Sequence, residues 1–149
     1  MNKKLNVILL LVLFVLCFVN MTCDKNDAAG IGNGKCAQST LVDTEMYNNL
    51  QTAQFTFIDA EIVDDCLNIE IGASGCDSET WLFNLVDSGA VAESRPEQRY
   101  LKLQLINEED CLAYFTKTVA FDLMPVRVSG SNEIILHLEG LEASLNYKY

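Results

Sequence analysis

Residues 66–73 read Cys-Leu-Asn-Ile-Glu-Ile-Gly-Ala, and residues 100–106 read Tyr-Leu-Lys-Leu-Gln-Leu-Ile. In both, apolar and polar side chains alternate, with Leu67, Ile69 and Ile71 on one face of the first and Leu101, Leu103 and Leu105 on one face of the second. A period of two describes a strand that is buried on one side and wet on the other. The signature recurs. Residues 55–62 are rich in aromatic and β-branched side chains, Trp81, Phe83 and Leu85 keep step within 80–86, and 111–123, 132–140 and 143–149 complete the series. About seven strands, spaced at roughly 10–20 residues with no convincing long helix, predict an all-β, antiparallel two-layer sandwich, immunoglobulin-like in layout.

Local irregularities carry their own expectations. The parity of 111–123 slips near Thr116 to Thr118, which suggests a β-bulge. Met124-Pro125 ends that strand or confines it to an edge, because proline lacks the amide a ladder needs. Residues 87–99 read as a loop with Pro96 near its end, and 37–54 as one helical turn or an irregular strand.

The N-terminus is of another kind. Met1-Asn2-Lys3-Lys4 is followed from Val7 to Val19 by a run with no charged or strongly polar residue. As a helix this run rises about 20 Å, short of a bilayer core of about 30 Å. A positive start, a short apolar run and a polar continuation form an export signal. Cys23 sits at the polar edge of the run, preceded by Asn20-Met21-Thr22, and Cys17 lies inside it. Thr22 is small enough to precede a lipidated cysteine, although Asn20 departs from the usual aliphatic residue. The expected organisation is therefore a lipoprotein signal over 1–22, a lipid on Cys23, a flexible glycine-rich tether over 23–35, and one sandwich domain over 36–149. The acids after Cys23 do not make a calcium loop: the glycine is misplaced and no glutamate closes it.

Removing Lys3 and Lys4 with the signal takes the net charge from −11 to −13. That charge argues against nucleic acid, which is bound by neutralising phosphates, and keeps an exposed domain soluble. With Cys17 removed and Cys23 acylated, Cys36, Cys66, Cys76 and Cys111 remain. An even number in an exported domain points to two disulfides, with three connectivities open. Zinc is not expected, since no Cys-x-x-Cys occurs and the one histidine, His137, lies far along the chain.

Three stretches, "SGCDSETWLFNL" (74–85), "SRPEQRYLKLQLINEEDC" (94–111) and "FDLMPV" (121–126), resemble a group of small exported domains of Bacteroidota-type bacteria, over residues 55–149. The resemblance implies an exported β-sandwich and is silent on activity. It implies that Cys76 and Cys111 are partners, which leaves Cys36 with Cys66. Cys66 has the parity of Asn68 and Glu70, so such a bridge sends the Cys36 segment across the outer surface of that strand. Members of the group often carry a histidine after the first cysteine, where this chain has Glu79-Thr80-Trp81. The acids after Cys23 are similar to signals that take lipoproteins to the cell surface in such bacteria.

His137 lies in step with Glu133, Ile135 and Glu139 and is expected to point into solvent, which leaves a hydrolase nucleophile without its base. Asp64-Asp65 and Glu108-Glu109-Asp110 fall in turns, where acids are ordinary. Other acids lie on polar strand faces; the exceptions are Asp59 within the first strand and Asp122 before Leu123, and Asp122 is expected to tie a strand corner by hydrogen bonding. Trp81, Tyr100, Tyr114, Tyr147 and Tyr149 could make an aromatic platform for sugar, although aromatics in strands are mostly core or cross-strand packing, and a cluster of them exposed on one face would favour that reading. The reading that follows is a non-catalytic binding or structural module, without cofactor or metal, held at the outer membrane by its lipid, with an unknown envelope protein or glycan as partner. The alternatives are a carbohydrate-binding accessory lipoprotein of a polysaccharide-uptake system, and a hydrolase inhibitor acting through residues 87–99.

Overall fold

The computed structural model describes residues 36–149; the expected signal over 1–22, Cys23 and the expected tether over 23–35 lie outside the described residues. The described residues fold into two packed sheets. The first is formed by β1 (Gln38–Ser39), β7 (Ala113–Asp122), β4 (Cys66–Gly75) and β3 (Thr56–Val63), in that order. The second is formed by β2 (Leu41–Val42), β5 (Leu82–Asp87), β6 (Glu97–Ile106), β8 (Glu133–Leu138) and β9 (Leu145–Lys148). Between them lie Leu67, Ile69, Ile71 and Phe121 from the first sheet and Phe83, Leu85, Leu101, Leu103, Leu105, Ile134 and Leu136 from the second, all buried. The fold is thus an all-β sandwich whose core is built from the alternating positions.

Most ladders are antiparallel. Three are parallel: β1 with β7, β2 with β5, and β6 with β8. After β6 the chain crosses to the other sheet as β7, so β8 returns beside β6 in the same direction. Residues 37–54 contain both expected forms. β1 pairs with the first sheet and β2 with the second, so this short segment changes sheets and closes one side of the sandwich. Buried Thr40 sits at the switch, its hydroxyl donating to the Asp122 carbonyl at 2.7 Å. Helix α1 (Thr44–Asn49) follows, capped by Asp43, whose carboxylate accepts from the Met46 amide at 2.8 Å.

Two local expectations fail. β7 carries no bulge: its register with β4 is unbroken from Cys66 opposite Asp122 to Gly75 opposite Ala113. The apparent slip comes from Lys117, which takes an inward position between Phe115 and Val119 and donates its ammonium to the Ser78 carbonyl at 2.6 Å. The irregular register lies in β3 instead, between Phe57 and Asp59. β3 is an outer strand of its sheet, and a bulge and charges there hinder edge-to-edge pairing with other chains. The loop read over 87–99 is also shorter, because Asp87 ends β5 and Glu97 begins β6.

Two disulfides hold the chain. Cys36 joins Cys66 across 30 positions and Cys76 joins Cys111 across 35. At the β3–β4 turn, Asp64 takes the left-handed conformation (φ 54°) that a short polar side chain tolerates. Beside it Asp65 ties the two sheets together. Its backbone carbonyl accepts from the Leu123 amide at 2.8 Å, and its carboxylate accepts from the Tyr147 hydroxyl at 2.7 Å and pairs with Arg127. The Arg127 guanidinium also donates to the Tyr147 hydroxyl at 2.9 Å and lies 4.9 Å from the Tyr149 ring centre. Burial, and then the Asp65 carboxylate, push the Tyr147 hydroxyl up to about 12.

Candidate functional site: the open face of the four-stranded sheet

The two outer faces differ. Residues 43–53 strap the second sheet. The Asp43 amide donates to the Asp87 carbonyl at 3.1 Å and the Thr44 hydroxyl to the Ser88 carbonyl at 2.8 Å. Farther along, the Lys102 ammonium donates to the Tyr47 carbonyl at 3.2 Å and lies 4.4 Å from that ring's centre. The Gln104 amide donates to the Gln51 carbonyl at 2.7 Å, and the Ala53 amide to the Leu105 carbonyl at 2.8 Å. β8 reaches only to Leu101 of β6, so the strap also pairs the part of β6 that β8 leaves uncovered.

The first sheet keeps its outer face open. Asp59, Glu61, Ser74, Tyr114, Thr116 and Thr118 are exposed there. Cross-strand registers arrange them in rows: Thr56, Gly72 and Thr116; then Asp59, Glu70 and Thr118; then Glu61, Asn68 and Ala120. The side chains are short apart from Tyr114 and the acids, so the face is flat. Asp59 and Glu70 are directly opposed, an arrangement of like charges that works against stability. With Glu61 one row away, they make this part of the face acidic. A shallow groove of about 150 Å³ runs among Asp59, Glu61, Asn68, Glu70 and Thr118.

A larger groove, about 380 Å³, lies at the other end of the face, between residues 53–56, Gly72 to Ser74, Asn107 and Tyr114. Tyr114 leans from β7 across β4, and its hydroxyl occupies the space a Cβ at Gly72 would fill. Any side chain at 72 therefore displaces the ring. An isolated glycine inside an alternating strand is the signal that could have located this groove from sequence.

Beyond the groove, one end of the sandwich is locked by an acid. The Glu109 carboxylate accepts from the backbone amides of Cys76 at 2.6 Å and of Asp77 and Ser78 at 3.3 Å each, and from the Thr80 hydroxyl at 2.6 Å. Gly75 permits this approach, since a Cβ there would collide with that carboxylate. The Cys76–Cys111 bridge fixes the same two loops. The Thr80 hydroxyl and then the three amides hold the Glu109 carboxyl at about 2 against the opposing effect of desolvation. A depressed carboxyl contributes stability above its unfolded value of about 4.3 and loses it as pH falls toward the folded value. Glu109→Gln is therefore expected to lower the thermal midpoint at pH 7, with the gap to the parent closing between about pH 4.3 and pH 2. Thermal denaturation followed by circular dichroism across that range checks this, and a gap that does not change with pH would exclude the role.

The other expected site residues are dispersed. His137 is on the outer face of the second sheet, but half-buried rather than freely solvated: its Nε2 is 2.7 Å from the Gln98 side-chain oxygen and its ring stacks on Tyr100 at 5.2 Å. Asp122 is buried and its carboxylate accepts from the Met124 amide at 2.9 Å, tying the strand corner. The Asp59 carboxylate accepts from the neighbouring Ala60 amide at 2.9 Å. The five aromatics are not gathered: Trp81 and Tyr147 are core residues, Tyr149 is partly buried against the core, Tyr100 is on the second sheet, and of the five only Tyr114 is on the open face. The loop over 88–96 is folded on itself, with the Ala92 amide on the Gln98 carbonyl at 3.0 Å and the Ser94 hydroxyl on the Pro96 carbonyl at 2.5 Å. Its base is held by a buried pair that sequence reading missed, in which Arg99 donates through Nε and Nη2 to Asp87 at 3.0 and 2.5 Å.

No family model matches the sequence, and no curated protein matches it. Solved structures are similar to it at low identity. A NigD-like immunity protein from Bacteroides caccae is 10% identical with a TM-score of 0.54, over 79% of this chain and 72% of that one. A protein of unknown function, DUF1344, from Bacteroides vulgatus is 14% identical with a TM-score of 0.49, and a toxin-related protein from Parabacteroides distasonis is 17% identical with a TM-score of 0.48. Each of these two matches covers 74% of this chain, which spans 55% and 60% of their lengths respectively. All three come from Bacteroides or Parabacteroides species. The two disulfides point to an oxidising, extracytoplasmic location.

Proposed function

We propose that the protein is an exported, lipid-anchored, non-catalytic binding module that presents the open face of its four-stranded sheet to an envelope protein or glycan. The observation that carries this reading is the asymmetry of the two faces: one strapped by residues 43–53, the other flat and grooved. The acids that could have served catalysis are taken up structurally at Glu109, Asp87, Asp65 and Asp122. His137 is engaged by Gln98 and Tyr100. The anchor rests on Cys23 at the end of the apolar run, since two or more acyl chains hold a membrane where a single chain binds only marginally.

A second reading is an immunity role, the word that the name of the Bacteroides caccae neighbour uses of that protein, exercised by binding a partner protein. The opposed acids Asp59 and Glu70, with Glu61 one row away, favour it by suiting a basic partner segment.

One experiment in intact cells tests the proposal. A photo-cross-linking residue is placed at Thr118 on the open face or at Asn146 on the second sheet, in the parent and in a Cys23→Ala variant. Discrete adducts from Thr118 and not from Asn146 are expected, with the Cys23→Ala protein lost from the membrane fraction or unprocessed. Identical adduct patterns from both positions, or none from Thr118, would sink the open-face reading. A mature, membrane-bound Cys23→Ala protein would remove the anchor.

A further inference from the structure

We propose that the groove between Tyr114 and residues 54–56 is a binding site for a neutral saccharide. This rests on the reading of the open face as the binding face and names the ligand class of one part of it. The groove's about 380 Å³ falls within the span of small-molecule sites, about 300–1,000 Å³. None of its lining residues is an acid, a lysine or an arginine, in a chain of net charge −11. An ionic ligand would find no counter-charge in it. The lining instead offers the side chains of Gln54, Thr56 and Ser74, all exposed, which can donate and accept hydrogen bonds as neutral hydroxyls require, while the Asn107 amide is held at the groove's edge by the Ser74 carbonyl and the Glu109 amide, each at 2.9 Å.

Tyr114 supplies the apolar surface. It is 60% exposed although it leans over the glycine at 72, so the ring is braced from below and open above. An aromatic face held over a backbone floor suits the C–H face of a sugar ring, while the polar groups around it take the hydroxyls. Asp59 and Glu70 lie one register row away, next to Thr56, Gly72 and Thr116. Their charge repels uronic acids and sulfated sugars and leaves neutral ones unaffected. The site is therefore expected to select against acidic glycans.

The test is isothermal titration calorimetry of the purified protein with cellohexaose, xylohexaose, mannohexaose and maltohexaose, with a galacturonic acid hexamer as the anionic comparison. At least one neutral hexasaccharide is expected to bind and the anionic one not to. Tyr114→Ala is expected to weaken that binding by about tenfold and Tyr114→Phe to retain most of it. Tyr114 buries no core surface, so the denaturation midpoint of Tyr114→Ala is expected to match the parent, which keeps loss of binding distinct from loss of fold. Gly72→Ala is expected to weaken binding to a similar extent by pushing the ring out. The inference is overturned if no neutral hexasaccharide binds at millimolar concentration, if Tyr114→Ala binds as the parent does, or if the acidic hexamer binds as tightly. Discrete Thr118 adducts combined with no saccharide binding would leave the open-face reading standing and this inference rejected.

Discussion

Reduction of both disulfides is expected to unfold the protein at 37 °C. In the chain-entropy account a bridge stabilises by restricting the unfolded chain, and loops closed across 30 and 35 positions are worth roughly 3.5–4 kcal/mol each. The two loops do not overlap in sequence, one running from Cys36 to Cys66 and the other from Cys76 to Cys111, so their restrictions add to about 7 kcal/mol. A domain of this size has a total stability of about 5–15 kcal/mol, so from about half of the reserve to all of it disappears. The native contacts point the same way. Cys36 holds the start of the segment that closes the sandwich through β1 and β2 and then straps the second sheet. Urea denaturation of oxidised and reduced protein measures the difference. A reduced protein that keeps its midpoint within about 1 M urea of the oxidised form would show that the bridges are ornamental, given a typical slope of about 1–3 kcal/mol per molar.

Arg99→Met is expected to cost about 3–5 kcal/mol, the usual result of stranding one member of a buried ion pair. The Asp87 side chain is fully buried and that of Arg99 is 7% exposed, so neither charge can be rescued by water where it stands. Asp87 also accepts from the Gly89 amide at 2.7 Å, which shapes the start of the 88–96 loop. Replacing both partners with apolar residues of similar size, Asp87→Leu with Arg99→Met, is expected to restore much of the loss, because the expensive state is the unpaired charge rather than the missing pair. Equilibrium denaturation of the parent, the two single variants and the double variant gives the coupling energy directly. If the double variant is as unstable as the sum of the single ones, the pair is not the source of the effect and the packing of the loop base is.

The alternation in Cys66 to Ala73 and in Tyr100 to Ile106 was enough to identify two strands and the side of each that is buried, and the same periodicity placed Trp81, Phe83 and Leu85 in the core. Side-chain direction along a strand is a local property, set by the two-residue period of the backbone, so it can be read without knowing what the strand packs against. The number of bridges was legible for a similar reason: an even set of cysteines in an exported domain is a matter of composition and compartment. Partner identity is not local, and there only the tertiary structure decides. Glu109 and Asp65 look like any turn acids in sequence, but Glu109 meets the amides of 76–78 about thirty positions away, and Asp65 meets Tyr147 across 82. Lys117 breaks an alternation because its ammonium reaches the Ser78 carbonyl, 39 positions distant. Cysteine counting leaves three pairings open, and the bridges from Cys36 to Cys66 and from Cys76 to Cys111 depend on which strand ends the fold brings within reach. The direction of β8 beside β6 depends on the intervening passage of β7 through the other sheet. The open face itself comes from where residues 43–53 run. Short segments of mixed pattern are steered by the surfaces they cross, and those surfaces exist only once the sheets have packed.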